Sequence, residues 1–521
     1  MKLKLFLAMA VLAILQQNLL AQAGSPDADF DGDGHVTTAI LSGDSDANAV
    51  VVQADGKIVV VGSTTTGTAG SSYDYGVVRY RPDGSLDNTF SLNGEANFGI
   101  ANADGDYAKA VAILSNGKIL VAGNSDTGAG ETAFSALLLN PSGTSFDVSF
   151  GNNGKLLLEG VDFWMEAMVL QSDGKIVAAG HASNSQNDDF ALLRLHPDGS
   201  LDNTFGGDGK VLIPIVTGQT DRAIAVALQP DGKIVVAGGS FLTGSAADIA
   251  VARLNPGGSL DNTFSFDGKL TTAVGEESAG YSVLIQPDGK IVVGGSGGAS
   301  GNSDMALVRY NSDGTLDASF STDGKLLISH AGFDYGFGLA RQPDGKLIVA
   351  GGTGFDNRMI AARVRTNGLL DSSFGDGGLA SVEFSGEERA IANDVTLSPS
   401  NRIVLAGFAV TNQEFKIGVA QLLTGLSVGI ADLSETGATL FYPNPIESQA
   451  AFEYELSAAG PVYLTLCDVQ GRLLHTFLSK ENRPSGKNTE TLTLPIGMAA
   501  GAYLLQLQTE SGKAAIKIVL K

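Results

Sequence analysis

The stretch Gln229-Pro230-Asp231-Gly232-Lys233-Ile234-Val235-Val236-Ala237-Gly238 decides the fold, because the chain repeats it. Asp-Gly-Lys-Ile recurs at Asp55-Gly56-Lys57-Ile58, Asp173-Gly174-Lys175-Ile176 and Asp288-Gly289-Lys290-Ile291. Variants stand at Asn116-Gly117-Lys118 and Asp344-Gly345-Lys346, with a worn copy at Ser400-Asn401-Arg402. The six steps from Gly56 to Asn401 average about 57 residues, a period characteristic of repeat architectures. Around Gly232 lie four apolar runs, Val211 to Ile215, Ala223 to Leu228, Ile234 to Ala237 and Ile249 to Leu254. Each is short, rich in β-branched residues and bounded by Gly, Asp, Asn or Pro, the pattern of a strand. The Asp-Gly pair between the second and third runs predicts a two-residue type I′ hairpin, which needs positive φ at both central positions.

Four strands per repeat and seven repeats predict an all-β, seven-bladed β-propeller. A helical solenoid is excluded because no 3.6-residue pattern is present, and a period near 57 is long for one coil of a β-helix. A second clause, Ser-Leu-Asp-x-x-Phe, supports the same number through Phe90, Phe205, Phe264 and Phe320, with variants at Phe150 and Phe374. Pro26 to Gly34 reads as the end of another copy, and the last repeat stops near Leu423 without one. The N-terminal segment is therefore expected to complete the final blade and close the ring, removing both sheet edges.

The two clauses together, Pro-Asp-Gly-Ser-Leu-Asp-Asn-Thr-Phe-Gly and Gln-Pro-Asp-Gly-Lys-Ile-Val-Val-Ala-Gly, resemble the delta-60 repeats of secreted bacterial proteins over roughly residues 26–425. That resemblance implies a propeller and brings no catalytic residues with it.

The chain has 521 residues, 68 of them Gly, and a net charge of −23. Lys2 and Lys4 precede an apolar run from Leu5 to Leu15, and Ala21-Gln22-Ala23 supplies a small-x-small cleavage site. Residues 1–23 thus read as a signal peptide, too short in its apolar part to span a membrane. Its removal takes two lysines and leaves −25, with no transmembrane span expected in the mature chain. So acidic a surface disfavours nucleic acid and anionic membranes. Cys467 is the single cysteine, which excludes an intrachain disulfide. The histidines (His35, His181, His196, His330, His475) are scattered and lack zinc-site spacing.

Beyond Gly425 the period ends. Residues 426–439 read as a linker, and 440–521 as a small Ig-like β-sandwich of about seven short strands. Its landmarks are Tyr442-Pro443-Asn444-Pro445, then Asp468 with Gly471-Arg472, then Gly501 and Tyr503, then Gly512, Lys517 and the terminal Lys521. In this order they resemble the type A C-terminal sorting domain of the type IX secretion system. The resemblance implies a Bacteroidetes-type Gram-negative source. It also implies an outer-membrane translocon and a surface sortase as partners, and delivery to the cell surface or medium.

Candidate chemistry concentrates before the second run of each repeat. Counted from the hairpin Gly, or from Asn401 in the last copy, an acid lies ten to thirteen residues upstream: Asp46, Asp106, Asp162, Asp221, Glu277, Asp334 and Glu388. Small residues follow (Ala223, Ala225, Ala227; Gly336, Gly338), as expected of the innermost strand near the propeller axis. Converging there, the acids would ring one channel mouth and take Ca²⁺ or a cationic ligand. The alternative, favoured because identical repeats make rings of anything, is that each acid orders its own turn. Trp164 and Tyr335 sit in the same loops, and a ring beside acids is a sugar-binding pairing; the competing reading is that they plug gaps between blades. Asp27-x-Asp29-x-Asp31-Gly32-Asp33 is similar to the start of an EF-hand loop, but Thr38 replaces the Glu such a loop requires, so it reads as repeat structure. Arg79, Arg194, Arg253 and Arg309, placed on the fourth run, are expected to bridge neighbouring blades at an edge. His-Glu-x-x-His and Walker signatures are absent, which points away from an enzyme. The expectation is a binding or adhesion module for an extracellular polymer, with a glycan or protein ligand. A polysaccharide-active hydrolase or lyase using a mouth carboxylate and a structural coat protein are the alternatives.

Overall fold

The computed structural model describes residues 22–425 and 440–520 apart from short stretches at 41–42, 66–71, 101–104, 128–131, 185, 242–246, 331, 333, 354–355, 443–448, 457–458, 468–472, 495–500 and 510–511. Residues 1–21, the expected linker 426–439, and Pro443, Asn444, Pro445, Asp468, Gly471, Arg472 and Lys521 lie outside the described residues. The chain divides at Gly425 into two compact units.

The first unit is a ring of seven four-stranded antiparallel sheets. Blade 1 comprises, from the axis outward, Ala49–Val52, Ile58–Thr65, Tyr73–Tyr80 and Glu95–Phe98. Blades 2 to 6 repeat the pattern, beginning at the inner strands Asp106–Ile113, Trp164–Leu170, Thr220–Leu228, Glu277–Ile285 and Asp334–Arg341. Blade 7 takes Arg389–Leu397, Arg402–Thr411 and Glu414–Leu423 from the end of the repeat region, and its outer strand, His35–Thr38, from the beginning. His35 pairs with Ala420 and Thr38 with Ile417. Inner strands of successive blades touch all the way round, including blade 7 against blade 1. Blade and sequence repeat are thus offset by one strand: Lys210–Ile213, which heads a repeat in the sequence, is the outer strand of blade 3.

The hairpin prediction needs correction. Gly232 N–H donates to Gln229 O at 2.9 Å and Gln229 N–H to Lys233 O at 2.9 Å. Gly232 has φ +83°, while Asp231 stays at negative φ. This is a type I turn closed by a glycine bulge, and Asp231 Oδ1 accepts the Lys233 N–H at 3.2 Å. A carboxylate that bonds the backbone two residues on suits a type I turn, so glycine is required at one position only.

Blade faces pack on one another. Val177, Leu192 and Phe205 of blade 3 meet Ala223, Val236 and Ala252 of blade 4 in one fully buried cluster. The clause phenylalanines Phe30, Phe90, Phe150, Phe205, Phe264, Phe320 and Phe374 are all at most 1% exposed, each contributing about 2–3 kcal/mol by burial. Above five of them lies an arginine. Arg253, on the third strand rather than at an edge, holds its guanidinium 4.8 Å from the Phe264 ring centre. Its Nε pairs with Asp261 at 2.7 Å and its Nη1 donates to the Ser312 carbonyl of blade 5. Arg79, Arg194, Arg309 and Arg363 do the same in blades 1, 3, 5 and 6. They bridge blades as expected, from buried positions.

The second unit is a sandwich of two antiparallel sheets. One orders Leu440–Tyr442, Gln449–Leu456 and Gly486–Thr493; the other orders Leu473–Arg483, Gly460–Cys467, Gly501–Thr509 and Gly512–Leu520. Phe452, Tyr454, Leu464, Leu466, Leu505 and Ile518 form its core, with Tyr503 packed against it. Tyr442 ends the first strand, Gly501 and Gly512 open the last two, and Lys517 lies within the final one.

Candidate functional site

The seven inner strands start at one face of the ring, and every acid singled out in the sequence lies there. They do not share one structural position. Asp106, Asp221 and Asp334 are equivalent, each pairing with the same row of the second strand (Ser125, Ser240, Thr353). All three are at most 1% exposed. Asp106 Oδ2 accepts the Ile100 N–H at 2.7 Å, Asp221 Oδ2 accepts those of Ile215 and Val216 at 2.7 and 3.0 Å, and Asp334 Oδ2 accepts that of His330 at 2.6 Å. Serine does this work in blades 1 and 5, where Ser45 and Ser278 accept from Ile40 and Val274. These acids fasten the incoming loop to its strand, the turn-ordering role. Burial raises the Asp221 pKa, partly offset by its hydrogen bonds.

The other acids fall out of register. Asp46 stands one position later and accepts the Ser63 N–H at 2.8 Å; burial raises its pKa. Asp162 is exposed, Glu277 accepts from Ser300 Oγ at 2.8 Å, and Glu388 lies on the surface beside the Asn412 N–H. Among the described residues no group of three or more acids, histidines or cysteines is placed to hold a metal ion.

Asp46, Trp164 and Tyr335 do share a position, together with Tyr107 and Arg222. At blade 3 this row opens into a recess of about 460 Å³ lined by Thr127, Thr132, Asp162, Trp164, His181 and Asp188, among others. Trp164 pairs across the sheet with His181, ring centres 6.3 Å apart and planes 22° from parallel. Burial, and secondarily the Arg222 charge, lower the His181 pKa, so the imidazole is neutral at pH 7; its Nδ1 is buried without a hydrogen bond. Arg222 reaches over from blade 4 to Asp188, 2.8 Å from Nε and 2.7 Å from Nη2. The recess therefore offers an indole face, an exposed carboxylate, a neutral imidazole and hydroxyls, and no charge cluster suited to a metal or phosphate. Across the mouth, Phe337 stacks on Tyr335 at 5.5 Å and meets Tyr281 at 5.1 Å.

Six segments, 53–90, 114–150, 171–205, 229–264, 286–320 and 342–374, match the model described as a domain of unknown function (DUF5122) beta-propeller. Residues 440–521 match a secretion system C-terminal sorting domain. The chain carries DUF5122 propeller repeats and a type IX sorting domain. That domain marks the protein for secretion and the cell surface, and for handling by the type IX machinery. No curated protein matches in sequence. Among solved structures, the polysaccharide lyase Uly1 is 10% identical with TM-score 0.42, over 73% of this chain and 90% of that one. A GH43_1 enzyme from Xanthomonas citri is 13% identical with TM-score 0.28, over 55% and 94%. Sqt1 from Chaetomium thermophilum is 13% identical with TM-score 0.32, over 79% and 96%. Likenesses at this level carry no argument about activity. No helix among the described residues is long and apolar enough to cross a membrane.

One feature of the DUF5122 propeller escaped sequence reasoning. The inner strands of blades 2 to 7 each carry a β-bulge that turns one residue toward the axis: Lys109, Glu166, Ile224, Tyr281, Phe337 and Asn393, with Asn48, just before the inner strand, at the same place in blade 1. Lys109 and Glu166 pair at 3.0 Å, and Asn48 and Asn393 donate to Ala108 O and Ala47 O of the next blade. A signal existed: each lies eight residues before the hairpin glycine, or before Asn401, whereas the spacing of the chosen acids varies. One step deeper, Asp394 is the lone acid in a circle otherwise made of Ala49, Ala110, Ala167, Ala225, Ser282 and Gly338. Its carboxylate accepts the Val50 N–H of blade 1 at 2.9 Å and the Val395 N–H at 2.8 Å. The little surface it shows faces the narrow lumen, and burial pushes its pKa up to about 6.

Proposed function

We propose that the mature protein is a non-enzymatic binding module for an extracellular polysaccharide, displayed or released by the type IX route. In this reading residues 1–23 are a cleaved signal peptide, 24–425 the binding propeller, 426–439 a linker and 440–521 the sorting domain.

One observation carries the proposal: the Trp164–His181 stack set beside Asp162 and Asp188 in the blade 3 recess. A flat apolar ring matches the C–H face of a sugar, and adjacent carboxylate and imidazole groups accept or donate to its hydroxyls. The open mouth suits a chain rather than a capped small molecule. A glycoside-hydrolase reading would require a pair of free carboxylates across a scissile bond, and a lyase reading a free base at the mouth. Asp221 and Asp334, their natural candidates, are committed to backbone N–H groups, which favours binding.

The test is affinity electrophoresis and calorimetry of the mature protein against a panel of neutral and acidic polysaccharides, with reducing-end and unsaturated-product assays alongside. Binding without turnover, weakened about tenfold or more by Trp164→Ala, is expected, since losing an indole contact removes at least about 1.4 kcal/mol. Unchanged binding by that variant, or turnover of a bound glycan, would overturn the proposal.

A further inference from the structure

The repeats supply their own controls: five blades carry an arginine at the Arg253 position, blade 7 carries the polar Gln421, and blade 2 alone carries an apolar residue, Leu138. Between blades 4 and 5 a polar recess is lined by Gln229, Asp231 and Arg253 on one side and by Gly289 and Ser312 on the other. The same positions between blades 2 and 3 are Leu114, Asn116, Leu138, Gly174 and Pro197. Leu138 keeps the backbone bonds of the arginine position, donating to Gly154 O and accepting from Asp147 N–H as Arg253 does with Gly268 and Asp261. What it lacks is the guanidinium. Phe150 has no cation above it, and no arginine reaches the Pro197 carbonyl. Glutamine, aspartate and arginine have given way together to leucine, asparagine and leucine, which removes one positive and one negative charge at once.

The space so vacated is a chamber of about 230 Å³ lined by Leu114, Leu120, Leu138, Phe150, Leu170 and Ile176, among others. Its rim carries Ser115, Asn116, Gln171 and Ser172, with no ionised side chain. Gln171 Oε1 is buried there without a hydrogen-bond partner, as is the same atom of Gln53, Gln229 and Gln342 in blades 1, 4 and 6, so what sets this seam apart is the apolar chamber and not the amide.

We infer that this seam is a binding pocket for a compact, uncharged aromatic ligand of up to bicyclic size that carries one N–H or O–H donor. A dry apolar cavity of about 150 Å³ holds benzene, so the larger chamber takes an indole-sized ring. Phe150 provides an edge or face for the ring, and Gln171 Oε1 accepts the donor. Loss of both charges disfavours an ionic ligand, although the overall acidity of the chain would attract cations. The pocket is distinct from the blade 3 recess and stands or falls separately from the polysaccharide reading.

The experiment is saturation-transfer NMR and calorimetry on the full mature chain with indole, and with agmatine as a guanidinium probe. Indole is expected to bind and agmatine not. Leu138→Arg restores the residue found in five other blades, whose guanidinium would cover Phe150 and fill the chamber; it should weaken indole at least tenfold. Leu138→Phe fills the same space without charge and should do likewise, which keeps the test sound if the arginine variant folds poorly. Indole binding that survives both substitutions, no indole binding to the native chain, or preferential binding of agmatine would each overturn the inference.

Discussion

Asp394→Asn should make the propeller more stable at neutral pH than at low pH relative to the native chain. Asp394 sits in the axial circle of small residues, and burial raises its pKa from 3.8 to about 6. Below about pH 4 the group is protonated in folded and unfolded chains alike and contributes no difference. Between about pH 4 and 6 the unfolded chain has released the proton that the folded one still holds. Native stability therefore falls as pH rises through this window and levels off above it. The shift of about 2 units, at about 1.4 kcal/mol per unit, gives about 3 kcal/mol. Asparagine keeps the shape and does not titrate. Any fixed cost, such as an amide N–H facing the Val50 or Val395 donor, is the same at every pH and drops out of the comparison. Trp164 is the single tryptophan and lies in blade 3, so its fluorescence in urea follows the propeller and not the sorting domain. The stability difference, variant minus native, should grow by about 3 kcal/mol from pH 4 to pH 7. A difference independent of pH would refute the reasoning.

Two further outcomes follow from the same geometry. Arg253→Ala removes the Asp261 pair, the cover on Phe264 and the bond to blade 5, and should cost about 3 kcal/mol in urea unfolding, as expected for breaking a buried pair; Arg253→Lys should recover little, because an ammonium cannot make the three contacts at once. Deleting residues 512–521 strips the outer strand Gly512–Leu520 from Gly501–Thr509 and should leave the protein in the periplasm, read by fractionation; normal surface delivery would refute the role given to that strand.

The repeat made much of this molecule legible in advance. Blade number, strand order and closure by the N-terminal segment all follow from clauses at constant spacing, because hairpins are local and each blade restates its neighbour. Pro26 to Gly34 announced the missing part of blade 7 by resembling the end of any other copy. The sorting domain was legible for a similar reason: its landmarks are short, ordered and close to the chain end.

Side-chain direction was not legible. Asp106 and Asp162 look alike as loop acids, yet one is buried against its own loop and the other is exposed, because a shift of one position in a strand reverses the face. The bulge in the inner strands of blades 2 to 7 adds a further slip, which is why Lys109, Glu166, Tyr281 and Phe337 line the axis while the expected acids do not. Asp394 passed unnoticed since only the ring, bringing blade 7 against blade 1, buries it. Leu138 is an ordinary apolar residue in its strand; only superposed on Arg253, with Pro197 brought across from the next blade, does it leave a chamber. The sequence by itself determined the number and order of the blades, which depend on local turns and strand periodicity. Which residues meet at the mouth, in the channel and at the seams was decided by the tertiary structure, because those meetings join residues about one repeat or more apart through strand register and ring closure.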